Sequence, residues 1–322
     1  MSSQTQSPQA RKPHGHFALV LLALAGVVAA VTIYMVVRPR SPRAMTETQS
    51  RQSQSEQVLA LAVPLSEQGQ YDAAVSLMQT HLRAQPDDIA VWVQLADTLM
   101  AADWPAEAEA AVDEVLRRAP RNARALWFKG LLVRRRGGEK PEYFLQQAAE
   151  SPDADASIWA GYGLMLLSEG DYDEAEQYLI RARQGGIEDE RTLGPLGELA
   201  LRRGDHAAAE TLLIQGVKLD RPNPRLWAML AESQKGLGKD EQAVATLKEA
   251  VAACDDQRGR LYLELGKLLH RMDRRAEAAA AMAQAAELLP DDMEVAAWRE
   301  AIESLDAVDT QPGVQTQPST AP

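Results

Sequence analysis

Six alanines, Ala74, Ala108, Ala175, Ala209, Ala243 and Ala278, recur along this 322-residue chain at intervals of 34, 67, 34, 34 and 35 residues. The 67-residue interval is two periods with one residue missing. A period that holds for more than 200 residues specifies an array of like units and not one globular core. Each unit of such an array contacts mainly its neighbours, so the product is an extended surface without a deep catalytic cleft.

The residues around each alanine define the unit. Trp92, Leu95, Ala96 and Leu99 share a spacing with Trp159, Tyr162, Gly163 and Leu166, with Tyr262, Leu265, Gly266 and Leu269, and with Leu193, Leu196, Gly197 and Ala200. Trp227, Leu230 and Ala231 repeat its start. Apolar residues three and four apart form one face of a helix. Each run ends at a chain-breaking residue: Gly69, Asp103, Gly137, Gly170, Gly204, Gly238 or Asp273. A second apolar run follows, pairing Ala175 with Leu179, Ala209 with Leu213 and Ala243 with Leu247, and Pro86, Pro120 and Pro290 close units. The small residues let two helix backbones approach, and a hairpin of about 34 residues must stack on the next to bury its outer face.

This pattern resembles the tetratricopeptide repeat family over roughly residues 55 to 292. The resemblance implies an all-α, right-handed solenoid of about seven helix-turn-helix repeats, with units at 55–88, 89–122, 123–155, 156–189, 190–223, 224–258 and 259–292. Val295, Trp298, Ile302 and Leu305 predict a capping helix over 293–307, covering the end of the stack. Three prolines mark irregular places. Pro64 is expected to kink or shorten the first leading helix. Lys140-Pro141 predicts a shortened second helix in the third unit, where proline is accommodated in the first turn. Pro195, after Gly194, marks a soft place in the fifth leading helix.

Phe17 to Val37 is a run of 21 residues without charge. As a helix it would be about 31 Å long, enough for the hydrocarbon core of a bilayer. Its Val, Leu, Ile and Phe residues each favour insertion by about 0.3 to 0.6 kcal/mol near the centre. The run is therefore expected to be an uncleaved transmembrane helix. A signal peptide cut after Val28-Ala29-Ala30 is the alternative, but apolar residues continue through Val37. Residues 1–16 and 308–322 have the composition of disordered tails, and 38–54 of a flexible linker. Arg11 and Lys12 precede the span and Arg38, Arg40 and Arg43 follow it, so positive charge does not choose an orientation. The expected location is the inner (cytoplasmic) membrane, single-pass, with the repeats outside the cytoplasm, by analogy with bacterial proteins of this layout.

The formal net charge is −12, and residues 1–57 carry six Lys/Arg and two Asp/Glu, which leaves −16 on the remainder. A body of that sign repels phosphate backbones, so nucleic acid is not an expected partner. The histidines, His14, His16, His81, His206 and His270, have no metal-ligand spacing, and Cys254 is alone. No phosphate-binding loop, C-x-x-C or H-E-x-x-H occurs. The pairs Asp87-Asp88 and Asp291-Asp292 read as helix starts, where negative charge complements the helix dipole. No enzyme, metal or cofactor is expected.

The resemblance places the leading helix of each unit along the concave surface. Transferred to this chain, that register gives a groove with Arg124, Trp127, Leu131, Arg134, Arg191, Glu198, Arg225, Glu232, Arg260 and Lys267, and with His270 completing it. Arg124, Arg191, Arg225 and Arg260 begin four leading helices, where a cation opposes the dipole. Two readings compete. They pair internally with Asp153, Asp189, Asp220 or Asp255, or they face an acidic or carboxylate-bearing peptide. The family mode that clamps a terminal carboxylate uses asparagines; Leu131, Glu198 and Glu232 stand in those places, against that mode. The expected function is a membrane-anchored scaffold that binds a protein or extended peptide. The alternatives are an assembly factor that holds an apoprotein during cytochrome c maturation, by architectural likeness alone, and a self-assembling scaffold or homo-oligomer.

Overall fold

A computed structural model describes residues 42–309, with side chains over residues 49–301. These residues form fifteen helices and no strand. In chain order they are α1 (Pro42–Glu67), α2 (Tyr71–Ala84), α3 (Ile89–Ala101), α4 (Pro105–Arg118), α5 (Ala123–Arg135), α6 (Pro141–Ala149), α7 (Ala156–Glu169), α8 (Tyr172–Gln184), α9 (Leu193–Arg202), α10 (His206–Leu219), α11 (Pro224–Gly236), α12 (Asp240–Ala253), α13 (Arg258–Arg271), α14 (Arg275–Leu288) and α15 (Met293–Asp309). They make seven hairpins and a final helix. The expected span 17–37 and the terminal tails lie outside the described residues, except that α15 continues to Asp309. Among the described residues no helix is long and apolar enough to cross a membrane.

The chain divides into two compact units, one ending at Val91 and the other beginning at Trp92. In the first, α1 packs on α2. Ala62, Ala74, Val75, Met78 and Leu82 are buried there. The linker expectation fails from Pro42 onward, because residues 42–54 belong to α1. Proline is suited to the first helical turn, and the next proline is Pro64. Helix-spaced bonds such as Gln52 Nε2 to Glu56 Oε1 (3.3 Å) support the segment. The helix also runs through Pro64 to Glu67, so it is not shortened at that residue.

The second unit stacks hairpin on hairpin. Two continuous cores run through it, one over Ala123–Leu199 and one over Ala200–Val295. All six recurrent alanines are fully buried. The reason is the close helix approach: a Cβ on Gly163 would lie 2.8 Å from Leu179 Cγ, and one on Gly197 would lie 2.7 Å from Leu213 Cγ. Gly130 meets Leu145 and the carbonyl of Pro141 as Gly163 meets Leu179 and the carbonyl of Ala175. Pro141 therefore stands where the missing alanine belongs, and this accounts for the double interval. Its helix α6 has nine residues, shortened as expected.

The seven predicted breakers all adopt positive φ, from 58° at Asp273 to 93° at Gly170. That conformation ends one helix and aims the chain into the next. Glycine adopts it freely, and aspartate is among the few side-chain residues that tolerate it. Between hairpins the joint is different. A side-chain oxygen of Asn122, Asp155, Asn223 or Asp292 accepts an amide hydrogen bond from the first turn of the following helix, at 2.9 to 3.2 Å. These are N-caps, each worth about 1 kcal/mol. Trp159 and Trp227 add a stitch, their indole N–H donating to the carbonyls of Ala149 (3.1 Å) and Arg221 (2.7 Å) at the end of the preceding hairpin.

The last helix, α15, packs on α14 and α13. Val295 is buried, and Trp298 meets His270 edge-on with ring centroids 5.7 Å apart. The side chains of Ile302 and Leu305 lie outside the described set.

Candidate peptide-binding groove

Within the second unit the leading helices meet one another, α5 with α7, α9 with α11, α11 with α13 and α13 with α15. That face is open among three of them. A cleft of about 420 Å³ lies among α7, α9 and α11. Leu164 and Leu167 of α7, Pro195 of α9 and Leu226 and Met229 of α11 give it apolar walls; Ser168, Glu190, Glu198, Asn223 and Arg225 add polar groups. The gap has a local cause. Helix α9 has ten residues where its neighbours α7 and α11 have 14 and 13. It begins at Leu193, so Pro195 falls in its first turn, where its missing N–H has no helical partner to lose. Gly194 brings no side chain to fill the space.

The four arginines are engaged within the protein. Arg124 reaches Asp155 (3.2 Å), Arg191 chelates Asp189 (3.0 and 2.7 Å), Arg225 reaches Glu198 (2.5 Å), and Arg260 reaches Asp292 (2.8 Å) and Glu294 (3.1 Å). Of these partners only Asp189 is a foreseen one. Asp153 instead accepts the Ala123 amide and the Asn122 side chain, Asp220 accepts from Asn223, and Asp255 takes Arg258. Those acids sit at helix ends, where nearby donors reach them first. Arg191 also precedes α9 instead of opening it.

The other expected groove residues divide. Trp127 packs against α7, where a Cβ on Gly161 would come within 2.6 Å of its ring, and Leu131 packs half-buried on the core. Arg134 is exposed with no ion pair, and its charge acts on Glu169. Glu198 is largely enclosed and also accepts from Arg202 at 3.0 Å. Glu232 is exposed and unpaired. Lys267 binds Glu264 (2.8 Å) and Glu294 (2.6 Å), so with Arg260 it fastens the cap. Only Glu198 and Arg225 of the ten line the cleft.

Electrostatics vary along the face. Asp97 of α3 is mostly enclosed; burial raises its carboxyl pKa, partly offset by Arg124. The Arg191 guanidinium holds Asp189 below the ordinary range, and Lys267, with Arg260, does so for Glu294. Glu169 is raised by burial and by Glu142 and Asp171. Cys254 is fully buried and its thiol is pushed up by burial, consistent with a small apolar residue. Among the described residues no group of His, Cys, Asp and Glu is arranged to hold a metal ion.

Models described as tetratricopeptide repeat match residues 65–130 and 166–233, residues 142–189, and residues 224–257 and 259–292. The chain belongs to the tetratricopeptide repeat family. Similar solved structures agree on the fold of this repeat protein. Pseudomonas aeruginosa pilF is 20% identical over 66% of this chain and 97% of its own, with a TM-score of 0.52. The C-terminal part of a repeat-containing protein from Cytophaga hutchinsonii is 14% identical over 74% and 98%, with a TM-score of 0.54. PilW, described as a widely conserved type IV pilus biogenesis factor, is 18% identical over 65% and 97%, with a TM-score of 0.50. No curated protein matches the sequence.

Leu164, Leu167 and Met229 were not among the expected groove residues. Their signal was present. In the fourth unit the two leading-helix places equivalent to Leu131 and Arg134 are both leucine, Leu164 and Leu167, and the next unit starts with Gly194-Pro195. Apolar side chains facing a short neighbour have nothing to cover them.

Proposed function

We propose that this repeat protein is a docking scaffold, held at a membrane by residues 17–37, that binds a segment of a protein partner in the cleft among α7, α9 and α11. The cleft carries the reading: it exposes apolar groups on the leading-helix face, where packing leaves them uncovered. Tethering would raise the partner's effective concentration at the surface, which strengthens weak contacts.

The test uses the full chain in membranes. A photo-crosslinking residue at Leu167 is expected to capture one protein, identified by mass spectrometry; one at Ile180, on α8, is not. That protein, purified, should bind wild type and lose binding to Leu167→Trp, which fills the cleft. Equal binding to both would refute the cleft as the docking site. Resistance of the full chain to alkaline extraction from membranes, lost when residues 1–41 are removed, would support the anchor; easy extraction of the full chain would refute it.

A further inference from the structure

We propose that the segment taken by this cleft pairs an aliphatic or aromatic side chain with a neighbouring lysine or arginine. The inference rests on the docking reading above and reverses the charge that the arginine row suggests. Every guanidinium at the cleft already has a carboxylate. Arg225 and Arg202 share Glu198, at 2.5 and 3.0 Å. Arg191 is closed onto Asp189 by two bonds. An acidic ligand would have to break a formed pair and leave Glu198 largely buried without its cations, a costly exchange.

Of the charged side chains that line the cleft, the one without an ion pair is a carboxylate. Glu190 lines the cleft, is exposed, and makes no hydrogen bond or ion pair, though its charge acts on the adjacent Arg191. One unit further, Glu232 of α11 occupies the place equivalent to Glu198 and is likewise exposed and unpaired. The unpaired cation on that helix, Lys235, lies beyond Glu232, away from Met229. The background field has the same sign, since residues 58–322 carry −16. A cationic segment is therefore drawn in at long range and meets a free carboxylate at the rim, while the walls of Leu164, Leu167 and Met229 take the apolar side chain. The cleft, at about 420 Å³, has room for two or three groups of benzene size, for which a cavity of about 150 Å³ suffices.

The experiment uses the full chain in a neutral detergent and four labelled peptides of equal length: leucine with lysine, leucine with glutamate, serine with lysine, and leucine with serine. Fluorescence anisotropy is expected to rank the leucine–lysine peptide first, by about tenfold. Leu167→Trp should abolish its binding. Glu190→Lys combined with Glu232→Lys should weaken it by about tenfold, and so should raising salt from about 0.05 M to 0.3 M. Both glutamates are exposed, so the reversed variant keeps the fold, which circular dichroism checks. If the leucine–glutamate peptide binds best and is lost in Leu167→Trp, the cleft stands and the charge inference is wrong. If serine–lysine binds as tightly as leucine–lysine, the attraction is unspecific and the inference is also wrong. If no peptide responds to Leu167→Trp, the docking reading fails with it.

Discussion

Two hairpins of the second unit are irregular, and they are irregular in opposite halves. In the third, the trailing helix α6 has nine residues; in the fifth, the leading helix α9 has ten. The first shortening leaves no gap at the helix contact. Pro141 takes the alanine's place against Gly130, and Leu145 is 1% exposed. The second opens a cleft of about 420 Å³. A trailing helix can lose length where its partner's small residues let it settle inward. A leading helix that begins late, with Gly194-Pro195, leaves its neighbours' side chains uncovered. Irregularity in a repeat becomes a site only where packing cannot close over it.

The largest expected effect breaks the comparison on the closed side. Leu145→Ala should remove about 2 to 5 kcal/mol of stability, read as a lowered midpoint in urea unfolding. Met229→Ala, on the open side, should cost about 1 kcal/mol or less, because its side chain is only partly covered, while weakening partner binding. Equal losses at the two positions would show that the cleft is closed in solution. Next in size, Gly204→Ala at φ 76° should cost about 1 kcal/mol by backbone strain alone, since a Cβ there meets nothing within 4 Å. A thermal scan checks it.

Two smaller effects concern carboxylates of opposite sign. Asp97 has a raised folded-state pKa, so its ionised form opposes folding at neutral pH and the penalty fades as pH falls. Asp97→Asn should therefore raise the melting temperature at pH 7, and the gain should shrink toward pH 4. Glu294 is depressed from 4.5, so its contribution is present above that value and is lost as pH falls below it. Amide protection factors over 293–301, referred to the intrinsic exchange rate at each pH, should fall in acid before those of α7 do. Undiminished cap protection in acid would contradict its fastening by Lys267 and Arg260.

Much of the fold was legible because its cause is local and periodic. The six alanines mark close helix approach, and each of the seven breakers is a left-handed turn. The start of α1 was not legible. Residues 42–54 have a linker's composition, but an unbroken helix former joined to a stable hairpin extends that helix. The site was less legible still. Arginine partners were sought among nearby acids, yet Arg124 and Arg260 reach 31 to 34 residues forward, into the next leading helix, and Arg225 reaches 27 residues back. Asp153 serves the Ala123 amide instead, and Asp220 the Asn223 side chain. Pairing across a stacking interface follows the unit period, which sequence proximity conceals.

The hairpin turns have a practical consequence. At Gly69, Gly137, Gly170, Gly204 and Gly238 the space where a side chain would stand is empty to 4 Å. A short tag or a fluorophore spliced beside such a tip would touch no other unit. Gly137, Gly170, Gly204 and Gly238 stand 33 or 34 residues apart, so these tips offer regular handles for measuring how each rung responds to binding.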